Sequence, residues 1–87
     1  MLKPKRNIYK IVGRNVRHFR ISSGYSQKEL ADNCDKTDRA KISDIENAKE
    51  DFMFSTLLEI CEGLKIELSV IITDRGNEFY QSTEKDS

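Results

Sequence analysis

Apolar positions first recur at helical spacing from Ile8 through Ile11, Val12, Val16 and Phe19. Lys10, Arg14, Arg17, His18 and Arg20 stand between them, so an amphipathic helix is predicted from about Asn7. It should stop at Ser22-Ser23-Gly24, with Gly24 in the left-handed position that closes a helix. Residues 1–6 read as a disordered basic arm, because Pro4 discourages an earlier start. Ser26 and Glu29 then have the S-x-x-E spacing of a capping box, in which side chains satisfy the free backbone donors of a new helix. Leu30 and Ala31 give that helix a small apolar face. The run Asn33-Cys34-Asp35-Lys36 is rich in turn formers. Another helix opens at Thr37 or Asp38, either of which can cap it, and its inward stripe is Ile42 and Ile45.

After a charged loop at 48–51, Phe54, Leu57, Leu58, Cys61 and Leu64 predict a further helix, with Ser55, Glu59 and Glu62 on its other side. Phe52 and Met53 precede it and read as core filling. From Lys65 the period changes to 2. Ile66, Leu68, Val70 and Ile72 alternate with Glu67, Ser69, Ile71 and Thr73, which predicts a strand over 66–73, ended by the turn residues 74–77. A lone strand leaves backbone groups unpaired along its edges. It pairs either with a short return at 78–81 or, the preferred reading, with its counterpart in a second copy. Residues 74–87 form a turn and a flexible tail.

The stretch 26–47 is the centre of this pattern: two short helices and a tight polar connection, which together describe a helix-turn-helix. Arg39, Lys41, Ser43, Asp44 and Asn47 point away from the Ile42/Ile45 stripe and are suited to bonding something outside the protein.

Charge sharpens that reading. The formal net charge is +0, yet every charged residue before Glu29 is basic and every acidic residue lies from Glu29 onward. Such asymmetry suggests a basic face for an anionic polymer, although the pI near 6.6 makes the signal regional. At 87 residues the chain is one small domain, of a size often completed by a second copy. No apolar run approaches the roughly 20 residues that span a bilayer, and the basic N-terminus lacks the apolar stretch of a signal peptide. A cytoplasmic location is expected.

Candidate chemistry is sparse. Cys34 and Cys61 lie far apart with no ligand spacing, so both are expected to be reduced, buried apolar residues, and no metal or cofactor is implied. His18 has no nucleophile or paired carboxylate near it, and Gly13 is too isolated for a phosphate-cradling loop. An enzyme is not expected.

Several runs carry a resemblance: V-R-H-F-R at 16–20, G-Y-S-Q at 24–27, L-A at 30–31, I-S-D-I-E-N at 42–47 and F-S-T-L-L-E-I-C-E-G-L at 54–64. In this order they resemble the Xre/Cro-type helix-turn-helix family of phage repressors, restriction-modification controllers and antitoxins. The resemblance implies an all-α domain of five helices over 7–65, with the helix opening near Asp38 in the DNA major groove. It implies a buried structural ion pair between Arg20 and Glu46, a phosphate contact from Gln27, and groove-facing positions at Arg39, Ala40, Lys41, Ser43 and Asp44. Their chemistry fits: Arg39 can grip guanine with two bonds, Ala40 can meet a thymine methyl, and Asp44 can accept from cytosine. Lys28, Lys41, Ser43 and Asn47 suit phosphates, which position without specifying sequence.

This chain departs from the family pattern in two places. Its turn before Ile42 is one residue longer and lacks the usual glycine, and Phe52 stands where a proline is common. The segment 64–72 resembles HipB-type antitoxins, in which a strand pairs across the dimer; here Ile66, Leu68, Val70 and Ile72 would line it. The expected function is therefore a homodimeric, sequence-specific transcriptional regulator that binds a double-stranded DNA operator and controls its own operon. The alternative is an antitoxin-type module that neutralises a toxin partner, with DNA binding secondary.

Overall fold

The first helix, α1, spans Pro4–Ser22 in the computed structural model, which describes residues 4–49 and 51–74. The disordered arm expected over 1–6 is corrected for its second half. Proline lacks an N–H that would have no partner in a first turn anyway, so Pro4 opens the helix instead of delaying it. α1 closes as expected: Gly24 takes φ +81, and its N–H donates to the Ile21 carbonyl at 2.9 Å.

α2 covers Gln27–Asp32 and begins with the full capping box. The Glu29 N–H donates to Ser26 Oγ at 3.0 Å, and the Ser26 N–H donates to Glu29 Oε1 at 2.8 Å. α3 covers Arg39–Glu46. Asp38 caps it, accepting from the Lys41 N–H at 3.0 Å, while Thr37 turns inward. α4 runs Phe54–Leu64 and ends at Lys65, which adopts the left-handed conformation (φ 60). α5 is a single turn, Leu68–Ile71.

Val12, Val16 and Phe19 of α1 meet Leu30, Ile42, Ile45, Leu57, Ile60, Leu64, Ile66 and Ile71 in one core. α1 crosses the end of α3 at Gly13. A Cβ there would strike the Ile45 carbonyl oxygen and lie 2.9 Å from that of Glu46, so the absence of a side chain sets how closely the two helices pack. Phe52 packs partly buried at the edge of the core, its ring edge-on to Tyr9 at 5.4 Å. Met53 does not fill the core; it is exposed.

The strand expected over 66–73, and with it the cross-dimer pairing through Ile66, Leu68, Val70 and Ile72, is not what forms. Among the described residues all regular structure is helical. The alternating pattern required Ile72 inside and Ile71 outside, yet Ile71 is 0% exposed and Ile72 is 41% exposed. Val70, Ile71 and Ile72 are all apolar, so the same residues also satisfy a helical face through Leu68 and Ile71. Packing chooses that face, and a buried side chain fixes it. The Asn15 amide donates to the carbonyls of Ile71 at 2.7 Å and Thr73 at 3.0 Å, with Val70 at 3.4 Å. The last carbonyls of α5 are thus met by α1 and are not presented sideways to a neighbouring strand. The tail at 75–87, with the hairpin alternative at 78–81, lies outside the described residues. Among the described residues no helix is long and apolar enough to cross a membrane.

Candidate nucleic-acid interface

α3 presents its two flanks and its outer face to solvent because its two large apolar residues, Ile42 and Ile45, are both on the inner side and enclosed. At 3.6 residues per turn, Ala40, Ser43, Asp44 and Asn47 lie opposite that stripe, with Arg39 and Lys41 on the flanks. Arg39, Ala40 and Lys41 are exposed, and Ser43 and Asp44 are half-buried. Their side chains make no ion pair within the described residues. Two hydrogen-bonding groups that would otherwise be idle in the body therefore face outward at the start of the helix: one guanidinium and one ammonium.

The body grips α3 at both ends. At its C-terminus, Arg20 Nε donates to Glu46 Oε2 at 2.6 Å, Arg20 Nη2 donates to Glu46 Oε1 at 3.1 Å, and Arg20 Nη1 donates to the Tyr25 carbonyl at 2.9 Å. The side chains of this pair are 10% and 1% exposed, so the two-pronged geometry works away from water. Gln27 Nε2 also donates to Glu46 Oε1, at 3.1 Å. Gln27, the first residue of α2, is thus held against the end of α3.

At the other end, the connection from α2 to α3 is fastened to α4. Glu59 Oε1 accepts from the Lys36 N–H at 2.9 Å and from the Thr37 hydroxyl at 2.8 Å. These bonds, the backbone one first, hold the Glu59 carboxyl below the usual carboxylate range. Asn33 Nδ2 donates to the Gly63 carbonyl at 3.4 Å, and the Cys34 thiol reaches the Glu59 carbonyl at 3.7 Å. The pattern of the sequence assigned Glu59 only to the polar side of α4. One of its partners is a backbone amide, which no side-chain pattern can reveal.

The candidates divide accordingly. Arg39, Ala40, Lys41, Ser43 and Asp44 come together on one surface, and Lys28 is exposed on α2, where it pairs loosely with Asp32 at 3.4 Å. Asn47 is engaged at the end of its own helix, its amide donating to the Ser43 carbonyl at 2.8 Å. A shallow groove of about 390 Å³ beside α3 is lined by Lys36, Lys41, Asp44, Asp51, Met53 and Glu59 among others, with both signs of charge. Cys34 and Cys61 are free thiols, and burial pushes Cys61 up to about 11. Among the described residues, no group of His, Cys, Asp and Glu could hold a metal ion.

Comparisons with known proteins agree with this arrangement. A family model described as helix-turn-helix matches residues 16–71. Among solved structures, the chain is similar to a crystal structure of a point mutant of the restriction-modification controller protein C.Esp1396I, with 28% sequence identity and a TM-score of 0.67. That similarity covers 74% of this chain and 84% of the other. Among curated protein sequences nothing matches.

Proposed function

From its membership of the Xre/Cro-type helix-turn-helix family, to which the matched residues 16–71 assign this chain, we propose that the protein is a sequence-specific, DNA-binding transcriptional regulator. It acts as a homodimer on a double-stranded operator and controls its own operon, in the cytoplasm. One observation carries the reading: the outer face and flanks of α3 hold Ala40, Arg39 and Lys41 exposed on a helix whose two ends are fastened to the body. A helix held this rigidly presents base-reading groups at fixed positions, so little ordering remains to be done on binding. Arg39 and Asp44 read base edges; Lys28, Lys41 and Ser43 hold phosphates. Gln27 and Asn47 contribute through α3, since their amides are committed to Glu46 and Ser43.

The homodimer draws support from Phe54 and Leu58, four residues apart on α4 and 62% and 40% exposed. With Met53, the residue before α4, also exposed, they give that helix apolar surface that a second copy can cover. Two-fold symmetry would set the recognition helices about 34 Å apart, on half-sites one helical turn apart. The restriction-modification controller to which the chain is similar supports the regulatory reading. The toxin-neutralising alternative drew on a paired C-terminal strand; with α5 in that place, nothing among the described residues favours it.

The test is binding to duplex from the gene's own upstream region against random duplex at about 150 mM salt, with footprinting. A preference of about 10³ or more with two-fold symmetric protection is expected. Weak and equal binding to both would overturn the regulator and turn attention to a protein partner.

A further inference from the structure

The connection between α2 and α3 is held by another helix. Its turn has no glycine to tighten it. Instead, successive groups along it are tied to one face of α4: Asn33 to the Gly63 carbonyl, Cys34 to the Glu59 carbonyl, and then both Lys36 and Thr37 to the Glu59 carboxylate. The last of these anchors stands immediately before Asp38, the cap that starts α3. Thr37 is 6% exposed, so its end of the bond to Glu59 is buried.

We propose that Glu59 is a positioning residue for DNA recognition: by fixing Lys36 and Thr37 it sets where α3 begins and therefore which base edges Arg39 and its neighbours reach. Glu59 lies on α4 and reads no base. It acts on sequence preference through the register of the recognition helix, and its role rests on the regulator reading given above.

Two substitutions separate geometry from charge. Glu59→Gln keeps a carbonyl oxygen able to accept both bonds, whereas Glu59→Ala removes the acceptor. Each is measured against the upstream duplex that the wild type protects and against random duplex, at one salt concentration and well below each protein's melting temperature. In Glu59→Ala the ratio of the two affinities should fall about 5- to 150-fold, the discrimination of one bidentate base contact. In Glu59→Gln the ratio should stay within about threefold of wild type, below that range. Without DNA, the Lys36 amide should lose exchange protection in Glu59→Ala and keep it in Glu59→Gln. Thr37→Val, which removes one donor and keeps the shape, gives the same reading should Glu59→Ala fail to fold; its ratio should fall too. An unchanged ratio in Glu59→Ala, or an equal fall in Glu59→Gln, overturns the positioning role. A wild type that does not distinguish the two duplexes overturns the regulator reading, and the specificity role of Glu59 with it.

Discussion

Glu46 is the residue on which the polar interior converges: Arg20 grips both of its oxygens and Gln27 shares one of them. A charge so enclosed is costly once its partner is gone, because the single bond from Gln27 cannot make up for the two-pronged one. Arg20→Ala is therefore expected to destabilise the fold by about 3–5 kcal/mol, measured by urea denaturation. Arg20→Lys should recover only part, since an ammonium cannot form the two-pronged contact. Gly13 makes a different demand. Gly13→Ala forces a methyl against the carbonyl oxygens that end α3, and overpacking of this kind costs about 1–3 kcal/mol; a loss well under that in the same denaturation series would mean that α3 moves aside easily. The ion pair was legible in the sequence through the family resemblance. The demand on Gly13 was not, because what it meets is backbone more than thirty positions along the chain.

Elements were legible where one period dominated. The capping box, the Gly24 stop and the Ile42/Ile45 stripe each follow from local residues, and the first four helices lie where their patterns put them, save for the earlier start of α1 at Pro4. α5 was illegible because three consecutive apolar residues fit both periods, and the deciding group, Asn15, lies on α1. Asn15→Leu should leave the carbonyls of α5 unmet inside the protein, at a cost of about 1–3 kcal/mol. Faster amide exchange at 70–73 than elsewhere would locate that loss; uniform exchange would show that α5 does not depend on Asn15. The attachment of α3 to α4 should also respond to acid. The Glu59 carboxyl is more acidic folded than unfolded, so its contribution is present above the unfolded value of about 4.3 and fades as the pH falls through the lower folded one. Lys36, Lys41, Asp44 and Asp51 line the groove beside it. Chemical denaturation of wild type and Glu59→Gln should differ at pH 7 and converge near pH 3; an unchanged difference at both would exclude Glu59 as the source.

For the molecule as a whole, the apolar surface on α4 makes the most direct prediction. Leu58→Glu places a charge on that surface, on a residue already 40% exposed, so the fold should survive while self-association is lost. Sedimentation should then show monomer where the wild type shows dimer, with weaker operator binding and an unchanged melting curve at low concentration. A persistent dimer would move the interface elsewhere on the chain. The charge asymmetry along the sequence foresaw a polyanion partner but not which surface meets it, because that depends on how the helices are stacked.

The two-ended attachment of α3 also has a bearing on how such a protein can change its target over generations. Among the described residues, the side chains that tie the helix to the body are those of Ile42, Ile45 and Glu46, with the chain just before Asp38 held as well, which leaves Arg39, Ala40, Lys41 and Asp44 outside that framework. Drift at those four codons should therefore be nearly silent for folding, so one lineage could wander from one recognition sequence to another without passing through unstable ancestors. A library randomised there should remain mostly soluble, and selection from it should return variants with new preferences on an unaltered scaffold.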